Sequence, residues 1–137
     1  MARVLVIDDS DVVRALLAAL LRAQGHETGV AAGGDAGLAS FREAGADLVL
    51  CELFLRGLDG LDVLRRLREA APGVRFVLMA AAGAAQRADL ARTAGLLGVG
   101  LLLKPFALCE VADAVRHALG AEGAEGMASP SEEVILG

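Results

Sequence analysis

Short apolar runs alternate along this chain with longer stretches in which apolar residues return every three or four positions. Arg3 to Ile7 is a β-rich run bounded by Asp8-Asp9. Val13, Leu16, Leu17, Leu20 and Leu21 then fall at helical spacing, with Ser10 or Asp11 placed to cap the helix and Gln24-Gly25 to stop it. His26 to Ala31 reads as a weak second strand. Gly33-Gly34-Asp35 opens a helix that passes through Leu38 and Phe41 and ends near Gly45. Leu48 to Cys51 is a third strand. Gly60 to Ala70 is helical, with Leu61, Leu64 and Leu67 on one side and Arg65, Arg66 and Arg68 mostly on the other. Pro72-Gly73 turns the chain into a fourth strand, Val74 to Ala80. Gln86 to Thr93 reads as a short helix and Leu101 to Leu103 as a fifth strand. Lys104-Pro105 breaks the chain, and Leu108, Val111, Val115 and Leu119 mark a last amphipathic helix.

Strands that are apolar on both faces and alternate with helices predict an α/β fold, a parallel sheet covered on both sides. In such sheets the functional site lies at the carboxyl ends of the strands. Polar residues cluster there: Asp8 and Asp9 end the first strand, Glu52 the third and Lys104 the fifth. Three carboxylates brought to one sheet edge repel one another unless a cation joins them. A hard divalent ion such as Mg²⁺ suits carboxylates and water, and Lys104 supplies a further positive charge.

The chain has 137 residues, room for one domain. We expect that domain in residues 1–120. Residues 121–137, AEGAEGMASPSEEVILG, read as a mobile tail or linker. Its last apolar residues, Val134-Ile135-Leu136, stand apart as the beginning of something further. The composition is 55% hydrophobic and lacks Trp and Tyr, which predicts an aliphatic core. No apolar stretch approaches the ~20 residues that span a bilayer. The apolar run in MARVLVIDDS is too short for a signal peptide. A soluble cytoplasmic protein is expected, with no membrane contact. The net charge of −5 and the lack of a basic cluster beyond Arg65, Arg66 and Arg68 argue against a nucleic-acid surface. Cys51 and Cys109 read as small buried hydrophobes. Two histidines without nearby cysteine make no zinc site. Twelve arginines stand against a single lysine, Lys104, so that position asks for a compact ammonium in particular.

Three motifs, VLVIDDS, DLVLCELFLRGLDGLDVLRRLRE and LLLKPF, in this order and spacing, resemble the receiver domain of bacterial two-component response regulators over about residues 2–120. The resemblance implies a flavodoxin-like (βα)5 fold, a doubly wound five-stranded parallel sheet. It implies that Asp8 and Asp9 hold Mg²⁺, joined by the acceptor residue at 52 and the backbone carbonyl of Phe54. It places the phosphoacceptor at Glu52, a phosphoryl-binding Thr or Ser at Ala81, an aromatic switch at Leu101 and a phosphate-contacting lysine at Lys104, followed by a cis Lys104-Pro105 bond. The implied partners are a histidine kinase or a downstream signalling protein.

The sequence departs from that pattern where the chemistry sits. Glu52 stands where the family carries Asp, Ala81 where it carries Thr or Ser, Leu101 in place of an aromatic residue and Arg56 in place of a loop proline. A glutamate carboxylate reaches further by roughly 1 Å, a displacement that costs about 100-fold in a positioned reaction. Ala81 cannot bond a phosphoryl oxygen, and Leu101 has no ring to report it. These changes together suggest a receiver that no longer switches by phosphorylation, with Glu52 paired to Lys104 and Mg²⁺ binding weakened. On this reading the chain is no enzyme beyond, at most, receiver-type autophosphorylation and autodephosphorylation. The competing expectation is a working phosphoacceptor that uses Glu52 or a neighbouring acid with Mg²⁺. Two other sites fit less well. Asp8-Asp9-Ser10-Asp11 would repel a flavin phosphate, and the Asp9-Ser10-Asp11 spacing of an acidic phosphatase leaves Asp8 and the KPF motif unexplained. Leu96, Leu97 and Val99, in the expected loop before the fifth strand, would form an apolar patch if exposed. That patch lies beside the face from the fourth strand and helix to the last helix, which the family uses for homodimers.

Overall fold

The computed structural model describes residues 2–124 and 135–136. The expected tail is therefore described only at its two ends, and its remaining residues lie outside the described ones. Five strands form one parallel sheet in the order β2-β1-β3-β4-β5: β1 (Arg3–Ile7), β2 (Glu27–Ala31), β3 (Leu48–Glu52), β4 (Arg75–Ala81) and β5 (Gly100–Lys104). The helices between and after them are α1 (Asp11–Ala23), α2 (Gly34–Ala44), α3 (Gly60–Ala70), α4 (Ala84–Leu97) and α5 (Leu108–Ala124). This is the flavodoxin-like architecture that the alternation implied.

Side chains alternate across a strand, and the sheet sorts them into two cores. Val4, Val6, Leu48, Leu50, Val77 and Met79 face one side, where α1 and α5 bring Leu17, Leu21, Val111 and Val115. Leu5, Ile7, Val49, Cys51, Phe76 and Leu78 face the other, where α2 and α3 bring Leu38, Val63, Leu64 and Leu67. The inner strands β1, β3 and β4 are apolar along most of their length because both faces are covered, whereas the edge strand β2, ETGVA, is not. Of the two cysteines, Cys51 is fully buried and Cys109 half-buried.

Local signals set the helix starts near the carboxyl edge of the sheet. Ser10 Oγ accepts from Val13 N at 3.2 Å and caps α1. Asp59 and Asp62 form a reciprocal capping box at the start of α3. The next residue, Gly60, packs directly on the end of β3, and its N–H donates to the Leu53 carbonyl at 2.8 Å.

Two features differ from the expectation. Helix α4 is longer than Gln86 to Thr93, because Ala84, Ala85, Leu96 and Leu97 favour helix and the turn comes only at Gly98, left-handed at φ 69. Leu96 and Leu97 thus belong to a helix, and only Leu96 is exposed, at 84%. Leu97 and Val99 pack against the core, which reduces the expected patch to one side chain. Second, Phe106–Ala107 forms a short strand, β6, that pairs antiparallel with β7, Ile135–Leu136.

Candidate functional site

The carboxyl ends of β1, β3 and β5 bring three charged residues together. Asp8, directly after β1, is fully buried, and Glu52, the last residue of β3, is 7% exposed. Lys104, the last residue of β5, reaches between them. Its Nζ lies 2.7 Å from Asp8 Oδ2 and 3.0 Å from Glu52 Oε2. The contact to Asp8 is a directed hydrogen bond. The contact to Glu52 is an ion pair by distance, but Glu52 Oε2 has no aligned hydrogen-bond donor. Asp8 Oδ1 accepts from Ser10 N at 2.9 Å, so both of its carboxylate oxygens are engaged.

The electrostatics follow from this burial. Desolvation raises the Glu52 pKa above the usual carboxylate value; Asp8 and Asp9 add to the rise, and Lys104 opposes it. Desolvation acts to lower the Lys104 pKa, yet its hydrogen bond to Asp8 and its ion pair with Glu52 outweigh that, and the ammonium is held above its ordinary value. Lys104 is thus a resident cation shared by two carboxylates. Cys51, one residue before Glu52, has its thiol pushed up by burial first and by the neighbouring acids second, which keeps it protonated and inert.

The remaining expected residues fall around this pair. Asp9 is exposed, so the three carboxylates do not converge; Asp9 acts on Glu52 only through its charge. Among the described residues no group of three His, Cys, Asp or Glu side chains is set to share a metal ion. The oxygen donors have the right hardness for Mg²⁺. Their arrangement does not fit a three-carboxylate shell, because the Lys104 ammonium already joins Asp8 to Glu52. Phe54, whose carbonyl was the further expected ligand, sits in the loop after β3 with the residue 63% exposed. Ala81 ends β4 and pairs in register with Lys104, and it brings no hydroxyl to that strand end. Leu101 lies on β5 and packs against the core beside Val99. The Lys104-Pro105 bond is cis, as the resemblance implied.

Two further residues shape the site. Arg14 Nη1 donates to the Asp8 carbonyl at 2.6 Å, tying α1 to the end of β1. Gly60 lies so close to β3 that a Cβ there would stand 2.7 Å from the Glu52 carbonyl oxygen and 2.8 Å from Leu53 Cα. The only sequence signal for Gly60 was a glycine at a helix start after a capping aspartate. A mostly apolar cavity of about 330 Å³ opens beside Ala81, between Phe54 and the α4 residues Leu90 and Thr93.

The family model of the response regulator receiver domain matches residues 4–116. The chain belongs to the response regulator receiver family. Among curated relatives, the receiver is 32% identical over 132 residues to the probable transcriptional regulatory protein TcrX of Mycobacterium tuberculosis, covering 96% of this chain and 56% of that protein. It is 30% identical over 117 residues to the sporulation initiation phosphotransferase F of Bacillus subtilis, covering 85% of this chain and 93% of that protein. Among solved structures, the receiver domain of NtrX from Brucella abortus superposes with a TM-score of 0.77 at 30% identity, covering 85% of this chain and 97% of that one. The chain spans about half the length of most of the first-matching curated relatives. Receivers act in two-component signalling and generally hold Mg²⁺ at their acidic phosphorylation site. Among the described residues no helix is long and apolar enough to cross a membrane.

Proposed function

We propose that this receiver is a protein-interaction module of two-component signalling that works independently of phosphorylation, or with only weak phosphorylation. One observation carries the reading: at the acceptor position stands a glutamate whose carboxylate is already 3.0 Å from the lysine ammonium. In a receiver that takes up phosphate, that lysine must serve the incoming phosphoryl group. Here it is shared between Glu52 and the buried Asp8, and its neighbour in the sheet, Ala81, offers no hydroxyl. The chemistry and its readout are weakened together, since Leu101 has no ring to turn inward. The same arrangement supports weakened Mg²⁺ binding.

The partners on this reading are proteins, a histidine kinase or a downstream signalling protein. A homodimer through the face from β4 and α4 to α5 remains a further partner on this reading, although only Leu96 of the expected patch is exposed there. No nucleic-acid contact is assigned to this chain. Some relatives are named as DNA-binding response regulators, but the chain covers only part of their length.

A second reading is a working phosphoacceptor on Glu52, favoured by the likeness to a relative named as a phosphotransferase that this chain nearly covers. Intact mass after incubation with acetyl phosphate and Mg²⁺ separates the two. Wild type is expected to carry no adduct, and the Glu52→Asp, Ala81→Thr double variant to carry one. An adduct on wild type would overturn the first reading and establish the second.

A further inference from the structure

We propose that the main chain of Phe106 and Ala107 is a strand-docking edge whose occupant is the chain's own segment around Ile135-Leu136. The two strands pair antiparallel, Phe106 opposite Leu136 and Ala107 opposite Ile135, and among the described residues β6 has no other partner strand. Phe106 and Ala107 are almost completely buried, at 0% and 2% exposure, so their backbone is held rigid by side chains anchored in the core. Buried backbone N–H and C=O groups require partners. The Ala107 N–H already has one, Glu110 Oε1 at 3.0 Å. In an antiparallel ladder, opposing pairs alternate between exchanging both hydrogen bonds and exchanging neither. The Glu110 bond therefore assigns the exchanging pair to Phe106 and Leu136.

The reach of the chain permits this docking. Helix α5 starts beside β6 and is kinked at Gly120, at φ 79, so its 17 residues reach less than the roughly 25 Å of a straight helix of that length. Residues 125–134 separate its end from β7, and a chain of that length extends to at most about 35 Å. A linker this short holds the segment at an effective concentration on the order of millimolar, so an intrinsic affinity of about millimolar is enough to keep it docked. The sequence agrees: Val134-Ile135-Leu136 is an aliphatic, β-favouring end to a stretch otherwise rich in Gly, Ala, Ser and Glu. The paired strand occupies the main-chain edge of Phe106 and Ala107, so a partner strand approaching that edge has to displace it. None of this depends on whether Glu52 accepts phosphate.

NMR of the ¹⁵N,¹³C-labelled full chain tests the assignment. Cross-strand NOEs between residues 106–107 and 135–136 are expected, with a slowly exchanging Leu136 amide. Leu136→Pro removes the donor, and protection of the Phe106 amide should then fall about tenfold, the worth of one or two hydrogen bonds. A synthetic peptide of residues 131–137, SEEVILG, added to that variant should move the Phe106 and Ala107 resonances back toward wild type. Random-coil shifts at 135 and 136 in the wild-type chain would overturn the proposal. So would Phe106 protection that Leu136→Pro leaves unchanged.

Discussion

Replacing Gly60 by alanine should destabilise the receiver, although the substitution lies in a helix where alanine is ordinarily the better residue. The new Cβ would stand 2.7 Å from the Glu52 carbonyl oxygen and 2.8 Å from Leu53 Cα, where ordinary contact begins near 3.4 Å. Relief needs a displacement of about 0.7 Å, and both obstructing atoms are main chain at the end of the site strand and the residue after it, with no flexible side-chain end to give way. Overpacking of this kind costs about 1–3 kcal/mol. The gain from restricting the unfolded chain offsets only about 0.4–1 kcal/mol. A net loss of about 1–2 kcal/mol remains, which at a slope of about 2 kcal/mol per molar lowers the urea midpoint by about 0.5–1 M. Gly73 is the control, since a Cβ there meets nothing within 4 Å. Gly73→Ala should raise stability by about 0.4–1 kcal/mol. Relieving the Gly60 clash must move the Glu52 main chain, so Glu52 and Lys104 amide resonances should shift in Gly60→Ala and stay in Gly73→Ala. A Gly60→Ala midpoint at or above wild type would refute the argument.

Two further outcomes are expected. Lys104→Met leaves Asp8 and Glu52 buried without their shared cation, a break that costs about 3–5 kcal/mol for a buried pair; adding Glu52→Gln should recover part of the loss in urea denaturation, and a Lys104→Met protein as stable as wild type would show that the pair contributes nothing. His26 is 6% exposed, its Nδ1 accepts from Ala2 N at 3.2 Å, and burial first, then the charge of the amino terminus, lowers its pKa. A lowered folded pKa means stability present above the unfolded value of about 6.5 and lost as pH falls through the folded one. Wild type should therefore lose more stability than His26→Gln between about pH 7 and pH 5, and parallel profiles for the two proteins would count against a buried neutral imidazole.

The inner strands were legible because burial on both faces writes them as continuous apolar runs, the edge strand β2 only weakly because it carries Glu27 and Thr28, and most of the helices because each carries an apolar stripe. Helix α4 was not fully legible. Its only fully buried residue is Ala94, so it has no stripe to set its length. The ribbon of β6 and β7 joins backbone groups far apart in sequence and leaves no periodic trace. At the site, Asp8, Glu52 and Lys104 stood out as charges ending apolar strands, and the structure brings them within ion-pair distance. Asp9 lies exposed beyond the end of β1, and among the described residues no three acids are set to share a metal ion. The tight seat of Gly60 was illegible because it depends on a missing side chain meeting main-chain atoms.

Helix α4 has a consequence for how cheaply this molecule changes shape. It rests on the core through Ala94 with partial help from Leu90 and Leu97, and it borders the cavity beside Ala81. Shifting it uncovers little apolar surface, and apolar burial at about 25 cal/mol per Å² is what would resist such a shift. By contrast α3 buries Val63, Leu64 and Leu67 and is seated on the β3 backbone. The receiver therefore combines a stiff acidic corner with one compliant wall. A partner gripping α4 can remodel that wall at small energetic cost while the charges on Asp8, Glu52 and Lys104 stay where they are.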